Sequence, residues 1–298
     1  MRSITNVPFH IPVGAYRRQL LSLVRQALDE DVGPGDLTVE AMHLGRQSGA
    51  AVLVAKSPGV LCGSDAFEAV FRQLDRNFEC EWRVMEGARC RAGQTIARTR
   101  GRASAILTGE RTAINFLARL SGIATATRRM ADLIPTRRTR LLDTRKTTPG
   151  WRYLEKRATV VGGAVNHRLG LYDALMVKDT HVGAGGGFRK TAARVMAAAG
   201  KRPVICEIHH PSEMGMAIEL GARWLLLDNF NPKVLRRLIA AVRRLEKSAG
   251  IRVIIEASGG VSERSIAVIA RCGPDYISAG SITHSAPVVD FSMRWVAR

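Results

Sequence analysis

The sequence predicts an α/β protein in which a compact region of sheet and helix is followed by a parallel, barrel-like repeat of strands and helices. Three observations support this prediction. At 298 residues, with a hydrophobic content of 46%, the chain can fill a substantial core. Short β-like runs dominate residues 50–108. From about residue 139 onward, strand-like runs alternate with longer helical stretches.

The first part of the chain begins with a helical pattern. Residues 16–31 place Leu20, Leu21, Val24 and Leu28 at helical spacing, and the breaker Gly33-Pro34-Gly35 then predicts a tight loop. Five β-like runs follow, with one helical stretch at 65–75. The runs cover residues 51–55, 59–62, 78–84, 95–98 and 102–107. Together they predict a compact domain of sheet and helix.

A long helical pattern runs from Gly109 to about Ile134 and introduces the second part. Candidate strands then cover residues 139–143, 174–178, 203–208, 223–228, 252–256 and 275–278. Repeated strand, helix and strand imply parallel strands joined by right-handed crossovers. This number of repeats favours a barrel-like closure.

Polar and charged residues follow every one of these candidate strands. They are Arg145 and Lys146, Lys178 and Asp179, Glu207, Asp228 and Asn229, Ser258 to Gly260, and finally Gly280 and Ser281. In a parallel α/β barrel, all the carboxyl ends of the strands converge on one mouth, where active sites are built. The order of cations first, acids next and Gly/Ser last predicts a functional site at that mouth.

The cationic members of this site suit a doubly charged anion. Arginine offers a planar fork for carboxylate or phosphate, and lysine offers a compact charge. Each residue alone could equally be one partner of a surface ion pair. The set is Arg145, Lys146, His167, Arg168 and Lys178, with Arg111 at the start of the long helix as a further contributor.

Glu207 and Asp228 end successive strands and form a candidate Mg²⁺ site, since this ion takes carboxylate oxygens together with water and substrate phosphates. Alternatively, the two acids could neutralise neighbouring lysines and arginines. The adjacent His209 and His210 face opposite sides of a strand, which argues against a metal site with two histidines. They are assigned no role.

The glycine loops at the last two strand ends predict a phosphate site. Ser258-Gly259-Gly260 and Gly280-Ser281 allow the backbone to approach a ligand closely, and barrels commonly bind phosphate at this place. His284 could donate to that phosphate or be a structural histidine. The cluster from Gly183 to Gly187 is either a mobile loop over the mouth or an ordinary connection.

Composition narrows the class of protein. The net charge of +19 fits either a nucleic-acid binder or an enzyme that concentrates anionic substrates, and the aromatic content of 5% leaves little stacking surface for single strands. The five cysteines show no metal-binding spacing and are expected to be reduced thiols. No run is apolar enough for a membrane segment or a secretory signal, so a cytoplasmic location is expected.

Several segments, in this order, resemble quinolinate phosphoribosyltransferases, the carboxylating nicotinate-nucleotide pyrophosphorylases. They are ALDEDVGPGDLT from Ala27, GERTAINFLARLSGIAT from Gly109, the stretch from Leu141 to His181, LLLDN from Leu225, and IEASGG with DYISAGSITHSAP near the end. The stretch from Leu141 contains DTRKTTPG and VNHRLGLYD, which are the most specific. These two segments fit the quinolinate enzymes better than the related subgroup that is linked to molybdenum transport.

The resemblance implies an incomplete parallel α/β barrel over residues 114–284 and an α/β sandwich domain formed by residues 1–113 plus about 285–298. It implies a transferase that converts quinolinate and phosphoribosyl pyrophosphate to nicotinate mononucleotide, pyrophosphate and CO₂ in NAD biosynthesis. A homodimer or higher oligomer is also implied, in which Arg111 reaches the site of the neighbouring subunit. The alternatives are a same-fold enzyme for another pyridine or anionic acceptor, and a non-catalytic relative that binds nucleic acid.

The resemblance also implies roles for individual residues. The cationic set would bind the carboxylates of quinolinate, with Lys146 and Lys178 taking part in catalysis. Glu207 and Asp228 would serve Mg²⁺ and the ribose. The 5′-phosphate would lie near Ser258, Gly259, Gly280 and His284. One departure concerns the strand Ile205-Cys206-Glu207-Ile208-His209, because the family usually has Glu-Val-Glu-Val-Glu there and this chain keeps only the middle acid.

Overall fold

The computed structural model describes residues 9–296, which divide into two compact units. The first, called the barrel unit, contains Arg129–Lys146, Ala164–Ile282 and the described residues up to His10. The second, called the sandwich unit, contains Ile11–Arg128, Thr147–Gly163 and the described residues from Thr283 onward. The domain boundaries expected from the sequence, with a change at residues 113 and 114, stay a prediction.

The sandwich unit is built on an antiparallel sheet of four strands in the order β12-β1-β5-β3. Its helices are α1 (Val13–Val32), α2 (Leu37–Ala41), α3 (Ser64–Leu74), most of α4 (Ala103–Asp132) and α5 (Arg152–Gly162). The strands are β1 (Ser48–Ala55), β2 (Gly59–Val60), β3 (Glu79–Trp82), β4 (Arg89–Cys90), β5 (Thr95–Arg102) and β12 (Phe291–Trp295). Strands β2 and β4 pair separately.

One hydrophobic core joins the sheet and the helices of the sandwich unit. Leu20, Val24 and Leu28 of α1 pack into the same cluster as Phe67 of α3 and Leu117 of α4. The helix and the buried face that were predicted from the spacing of these leucine and valine residues are therefore confirmed.

The predicted strand at 102–107 is wrong. β5 ends at Arg102, and Ala103 begins α4, which runs without interruption to Asp132. Ala103 and Ile106 are both buried and stand three residues apart, which is the spacing of one helix face. A short apolar run does not distinguish a strand from a buried helical turn, and the alanine-rich composition here favours the helix.

The barrel unit contains a parallel sheet of six strands in the order β6-β11-β10-β9-β8-β7. The strands are β6 (Arg140–Leu142), β7 (Leu175–Val177), β8 (Val204–Ile208), β9 (Trp224–Asp228), β10 (Ile254–Ser258) and β11 (Tyr276–Ser278). The helices are α6 (Asp179–Gly185), α7 (Phe188–Ala198), α8 (Pro211–Glu219), α9 (Pro232–Ala249) and α10 (Ile266–Ala270). The short helix α11 (Ser281–His284) follows β11 and crosses into the sandwich unit.

The six predicted strands of the second part are all present, and the predicted incomplete parallel barrel is confirmed. β6 and β7 are the two edges of the sheet, and they are not paired with each other in the described part of the chain. None of the helices in residues 9–296 combines the length and the apolar character that crossing a membrane requires.

Alternation along the strands separates two faces of this sheet. Leu225, Leu227 and Ile255 belong to the larger cluster, which is packed under the helices. Ile205 and Leu226 belong to a smaller cluster on the opposite face, together with Phe9, Leu142, Ala174, Trp224 and Tyr276. The face that carries this smaller cluster is called the site face. Side chains at the strand ends that continue the alternation of the cluster project from the same face.

Candidate active site

The strand register places the predicted acids and one lysine together at the site face. Glu207 lies two residues after Ile205, and Asp228 lies two residues after Leu226, so both carboxylates continue the alternation of the smaller cluster. Lys178 directly follows β7, the neighbour of β8 in the sheet. The sequence prediction that the strand ends share one mouth agrees with this arrangement.

A buried aspartate organises the segment that carries the central cations. The Asp143 carboxylate is fully buried and accepts hydrogen bonds from the Asn166 side chain at 2.6 Å and from the backbone N–H of His167 at 2.7 Å. Backbone hydrogen bonds also join Val165 to Leu141 and to Asp143. The segment is therefore held alongside β6, at the edge of the sheet.

His167 is packed rather than free in the pocket. Its Nδ1 accepts a hydrogen bond from the backbone N–H of Arg168 at 2.8 Å, which leaves Nε2 to carry the proton. That Nε2 faces Oε2 of the buried Glu256 at 3.4 Å. The ring lies next to Phe9 and Trp224, with centroid separations of 6.2 and 5.8 Å. Its predicted role in substrate binding stays a prediction.

Two arginines, the buried Arg168 and the partly buried Arg145, lie close enough for their charges to interact. Arg168 is only 4% exposed, and one of its Nη atoms donates to the carbonyl of Ala174 at 2.9 Å. Burial lowers the pKa of Arg168, and the positive charge of Arg145 lowers it further, while Asp173 opposes both effects. The Nε of Arg145 is buried without a hydrogen-bond partner among the described residues.

Asp173 offsets the lowered pKa of Arg168 only in part. Asp173 accepts backbone N–H groups from Leu169 at 2.6 Å and from Gly170 at 3.3 Å, so it is engaged in closing the loop that follows Arg168. A buried donor without an acceptor is costly, and so is a pair of like charges. An anionic ligand relieves both costs, which makes this the strongest feature of the site.

The acidic end of the site contains an imidazole that the sequence analysis left without a role. His209 Nε2 lies 2.9 Å from Glu207 Oε1, and its Nδ1 lies 3.9 Å from Asp228 Oδ2. Lys178 Nζ is 3.8 Å from the other oxygen of Glu207. Asp179, Glu207 and His209 each offer a ligand atom, and these atoms lie within 4.8 Å of one another.

The two adjacent histidines separate as the alternation predicted. His209 turns towards Glu207, whereas His210 is exposed and stands at the start of α8, where its backbone N–H donates to Glu213 at 3.0 Å. His210 is not part of the three-residue group. The signal for His209 was present in the sequence, because it stands two residues after Glu207 and therefore on the same face.

The glycine loop after β10 packs closely against Asn229. Gly259 has φ of 94°, and a Cβ at this position would collide with Asn229. Asn229 itself has φ of 57°, and its backbone N–H donates to the carbonyl of Ser258 at 2.9 Å. Gly280 directly precedes Ser281, the first residue of α11. The two glycine loops place backbone N–H and C=O groups at the ends of β10 and β11, which are neighbours in the sheet.

The remaining predicted residues have different surroundings. Lys146 is exposed, and its backbone N–H donates to the Thr144 hydroxyl at 3.0 Å. Arg111 and His284 are also exposed, but they belong to the sandwich unit, and His284 Nδ1 lies 2.7 Å from the Ser285 hydroxyl. The other predicted site residues all belong to the barrel unit.

The glycine cluster at 183–187 is an ordered connection between two helices. Its first residues lie within α6, and Gly186 and Gly187, with φ of 78° and 109°, form the turn into α7. The N–H of Gly187 donates to the carbonyl of Val182 at 3.0 Å. This geometry agrees with the ordinary connection, one of the two alternatives that the sequence left open.

Comparison with known proteins identifies what the chain is similar to. The family model described as quinolinate phosphoribosyl transferase, N-terminal domain, matches residues 36–121, and the corresponding C-terminal domain matches residues 123–294. The nicotinate-nucleotide pyrophosphorylase (carboxylating) of Homo sapiens is 40% identical over 94% of this chain and 92% of that protein. The Mycobacterium leprae protein of the same name is 36% identical over 91% and 95%.

A solved structure supports the same likeness. The nicotinate-nucleotide pyrophosphorylase from Francisella tularensis superposes with a TM-score of 0.87 at 33% identity, and the match covers 96% of this chain and 98% of that chain. The similarity therefore extends over both units.

Proposed function

The chain belongs to the quinolinate phosphoribosyltransferase family, and from this membership we propose that it is the enzyme that joins quinolinate to phosphoribosyl pyrophosphate, releasing pyrophosphate and CO₂. The product is nicotinate mononucleotide, a precursor of NAD. The enzyme is thus a pentosyltransferase, and family membership favours it over the non-catalytic nucleic-acid binder that the net charge of +19 left open.

The pair formed by the buried Arg168 and the partly buried Arg145 is the observation that carries this proposal. Quinolinate holds two carboxylates on adjacent ring carbons, and two guanidinium forks suit such a dianion better than a single charge. Arg145 has a buried Nε that finds no partner within residues 9–296, and Arg168 has its pKa lowered by burial and by Arg145. Binding of the substrate supplies the missing acceptor and the missing negative charge.

The proposed chemistry begins with attack of the pyridine nitrogen on the anomeric carbon, where the bond to pyrophosphate breaks. Arg145 and Arg168 would hold the carboxylates and so orient the ring nitrogen, which is catalysis by positioning. Lys146 and Lys178 would add positive charge near the departing group. In the second step the bond from C2 to its carboxylate breaks, the electron pair stays on C2 beside the quaternary nitrogen, and C2 then takes up a proton.

Mg²⁺ is proposed as the cofactor at the acidic end. Glu207 and Asp228 supply the carboxylate oxygens that this ion prefers, and they end neighbouring strands on the site face. Their residue types therefore fit the ion. When bound, magnesium would neutralise the charge that develops on pyrophosphate. The loops at Ser258, Gly259 and Gly280 would cradle the 5′-phosphate, with His284 as a further donor.

A homodimer or higher oligomer is proposed, with Arg111 acting in the site of the neighbouring subunit. Arg111 is exposed on α4, which leaves its guanidinium available to a second copy of the chain. Mixing the variants Arg111→Ala and Arg168→Ala tests this proposal. If each variant is inactive alone, reassembled hybrids should regain activity, because one site then receives both native arginines. No recovery after subunit exchange would contradict the shared site.

A cytoplasmic location is proposed as well. All five cysteines are free, and four of them are buried. Thiols of this kind suit a reducing compartment.

One assay tests the proposed reaction directly. The purified protein is incubated with quinolinate, phosphoribosyl pyrophosphate and Mg²⁺, and release of CO₂ is followed together with nicotinate mononucleotide. Nicotinate serves as the control acceptor, because it lacks one of the two carboxylates. We expect turnover with quinolinate and much weaker turnover with nicotinate. If neither acceptor reacts, the proposed function is wrong. Equal turnover of both acceptors would contradict the argument that the two arginines select an acceptor with two carboxylates.

A further inference from the structure

The acidic end of the site contains a nitrogen ligand as well as oxygens. Three side chains there point potential ligand atoms at one another, namely the carboxylates of Asp179 and Glu207 and the imidazole of His209, all within 4.8 Å. Metal bonds to such groups are about 2.1 Å long, so ligands at right angles lie about 3 Å apart and opposite ligands about 4.2 Å apart. Glu207 Oε1 and His209 Nε2 share a hydrogen bond of 2.9 Å, and two adjacent ligands of one ion would keep this same separation once the ion replaces the shared proton.

The backbone fixes these three residues at neighbouring strand ends. Asp179 is the first residue of α6 directly after β7 and Lys178, and β7 pairs with β8. Glu207 and His209 stand two residues apart at the end of β8, and the backbone N–H of His209 donates to Glu213 of α8 at 2.8 Å. Ligands held on strand ends and a capped helix need little rearrangement on binding.

A neighbouring acid gives independent support. Asp228 Oδ2 lies 3.9 Å from His209 Nδ1, the ring nitrogen that does not face Glu207, which is an ion-pair distance and longer than a hydrogen bond. Histidine ligands of metals commonly direct their second nitrogen to a carboxylate, which orients the ring and raises its basicity. Lys178 approaches the other oxygen of Glu207, which leaves Oε1 on the side of His209.

The local charge also suits a divalent cation. Asp179, Glu207 and Asp228 supply three carboxylates near His209, and Lys178 is the ammonium group that contacts one of them. Three negative charges against one positive charge leave a local balance of two negative charges.

From this geometry we propose that Asp179, Glu207 and His209 form a divalent-cation site that prefers an imidazole-accepting transition ion, such as Mn²⁺ or Co²⁺, to Mg²⁺. Mg²⁺ favours an all-oxygen shell, whereas an imidazole nitrogen suits first-row transition ions. The inference deepens the proposed function, because it concerns the metal of the same site. It revises the Mg²⁺ proposal in two respects: Glu207 remains a ligand whereas Asp228 orients His209 instead of binding the ion, and the ion bound most tightly is a transition ion.

The test is titration of the metal-free protein with Mn²⁺ and with Mg²⁺ by calorimetry, without substrates. We expect Mn²⁺ to bind at least about tenfold more tightly than Mg²⁺. The variant His209→Gln should lose about tenfold or more in Mn²⁺ affinity and change little towards Mg²⁺. The matched control is His210→Gln, which removes the adjacent exposed imidazole and should leave both affinities unchanged. Equal affinities in the wild type, or a His209→Gln variant with native Mn²⁺ affinity, would overturn the inference.

Spectroscopy of the wild-type protein keeps the inference testable even if the variant does not fold. Bound Mn²⁺ should show electron-spin-echo coupling to an imidazole nitrogen, and absence of this coupling would overturn the proposed ligand set. Both experiments measure binding alone. A protein that binds Mn²⁺ through His209 but does not convert quinolinate would therefore contradict the proposed function and leave the metal site standing.

Discussion

For some residues of the site the residue type alone indicated a role, and for others it did not. Arg145 and Arg168 are both cations in suggestive positions, but the cost of burying them together depends on Arg145 Nε having no acceptor and on Asp173 being engaged elsewhere. His209 carried no conclusion as one of two adjacent histidines. It became informative once the register placed its ring against Glu207.

Arg168 gives the first prediction at this scale. Arg168→Ala should lower kcat/KM for quinolinate by about 100-fold or more, because each lost charge-assisted hydrogen bond removes about 1.5–3 kcal/mol. Arg168→Lys keeps the charge without the fork and should recover only part of the loss. The control is Arg189→Ala, which removes an exposed partner of Glu219. Near-normal turnover of Arg168→Ala at low quinolinate would contradict the assignment.

The buried carboxylate under His167 gives the second prediction. Burial raises the pKa of Glu256, but His167, Ser278 and Trp224 together hold it below its ordinary value. Its Oε2 accepts a hydrogen bond from Trp224 Nε1 at 2.9 Å. Glu256→Met should lower the free energy of unfolding by about 2–5 kcal/mol, because the three buried donors His167, Ser278 and Trp224 lose their acceptor.

Urea denaturation measures this loss. Glu256→Gln retains one oxygen and should be milder, and Glu219→Gln, on an exposed carboxylate, should have almost no effect. Unchanged stability in Glu256→Met would show that the carboxylate does not hold His167 and Trp224.

At the scale of elements, periodicity predicted most helices and strands, and it failed where two elements join. In the structure, the alternation of side chains along β8 and β9 separates site-face residues from core residues. The boundary between β5 and α4 was misplaced, because residues 103–107 are apolar and small enough for either structure. Their helical state depends on continuity with the rest of α4, which a local pattern does not contain.

Close packing of α4 gives the third prediction. A Cβ at Gly122 would meet the backbone carbonyl of Pro287, which has no flexible end to move aside. Gly122→Ala should therefore cost about 1–3 kcal/mol of unfolding free energy, as overpacking does. Gly215→Ala is the control, because it lies in α8 with open space around it and should be neutral or stabilising by about 0.5–1 kcal/mol. Chemical denaturation of the two variants checks this, and equal stability would contradict the contact.

At the scale of the whole molecule, each unit carries a carboxylate with a lowered pKa. The backbone N–H of Arg102, followed by that of Asn77, holds the pKa of Asp75 below its ordinary value. Burial raises the pKa of Glu246, but the N–H of Val253 and two arginines bring it below its ordinary value. The sandwich unit contains Asp75, and the barrel unit contains Glu246.

These shifts give the fourth prediction, which concerns acid stability. A folded pKa below the unfolded value adds stability that is present above the unfolded pKa and is lost as pH falls through the folded pKa. Stability should therefore decline below about pH 4, where free carboxyls protonate. Urea midpoints measured from neutral to acid pH should show a smaller decline for Asp75→Asn and Glu246→Gln. An acid decline identical to that of the wild type in both variants would contradict this account.

The sequence by itself determined the alternation of strands and helices, the polar residues at each strand end, and the motifs that resemble quinolinate phosphoribosyltransferases. These properties are readable because periodicity and strand ends are local along the chain. Only the tertiary structure decided that the charge of Arg145 acts on the buried Arg168, that His167 faces Glu256, and that His209 lies with Glu207 and Asp179. Those relations join residues on different strands and loops, and their energies depend on burial and on which acceptors are already engaged.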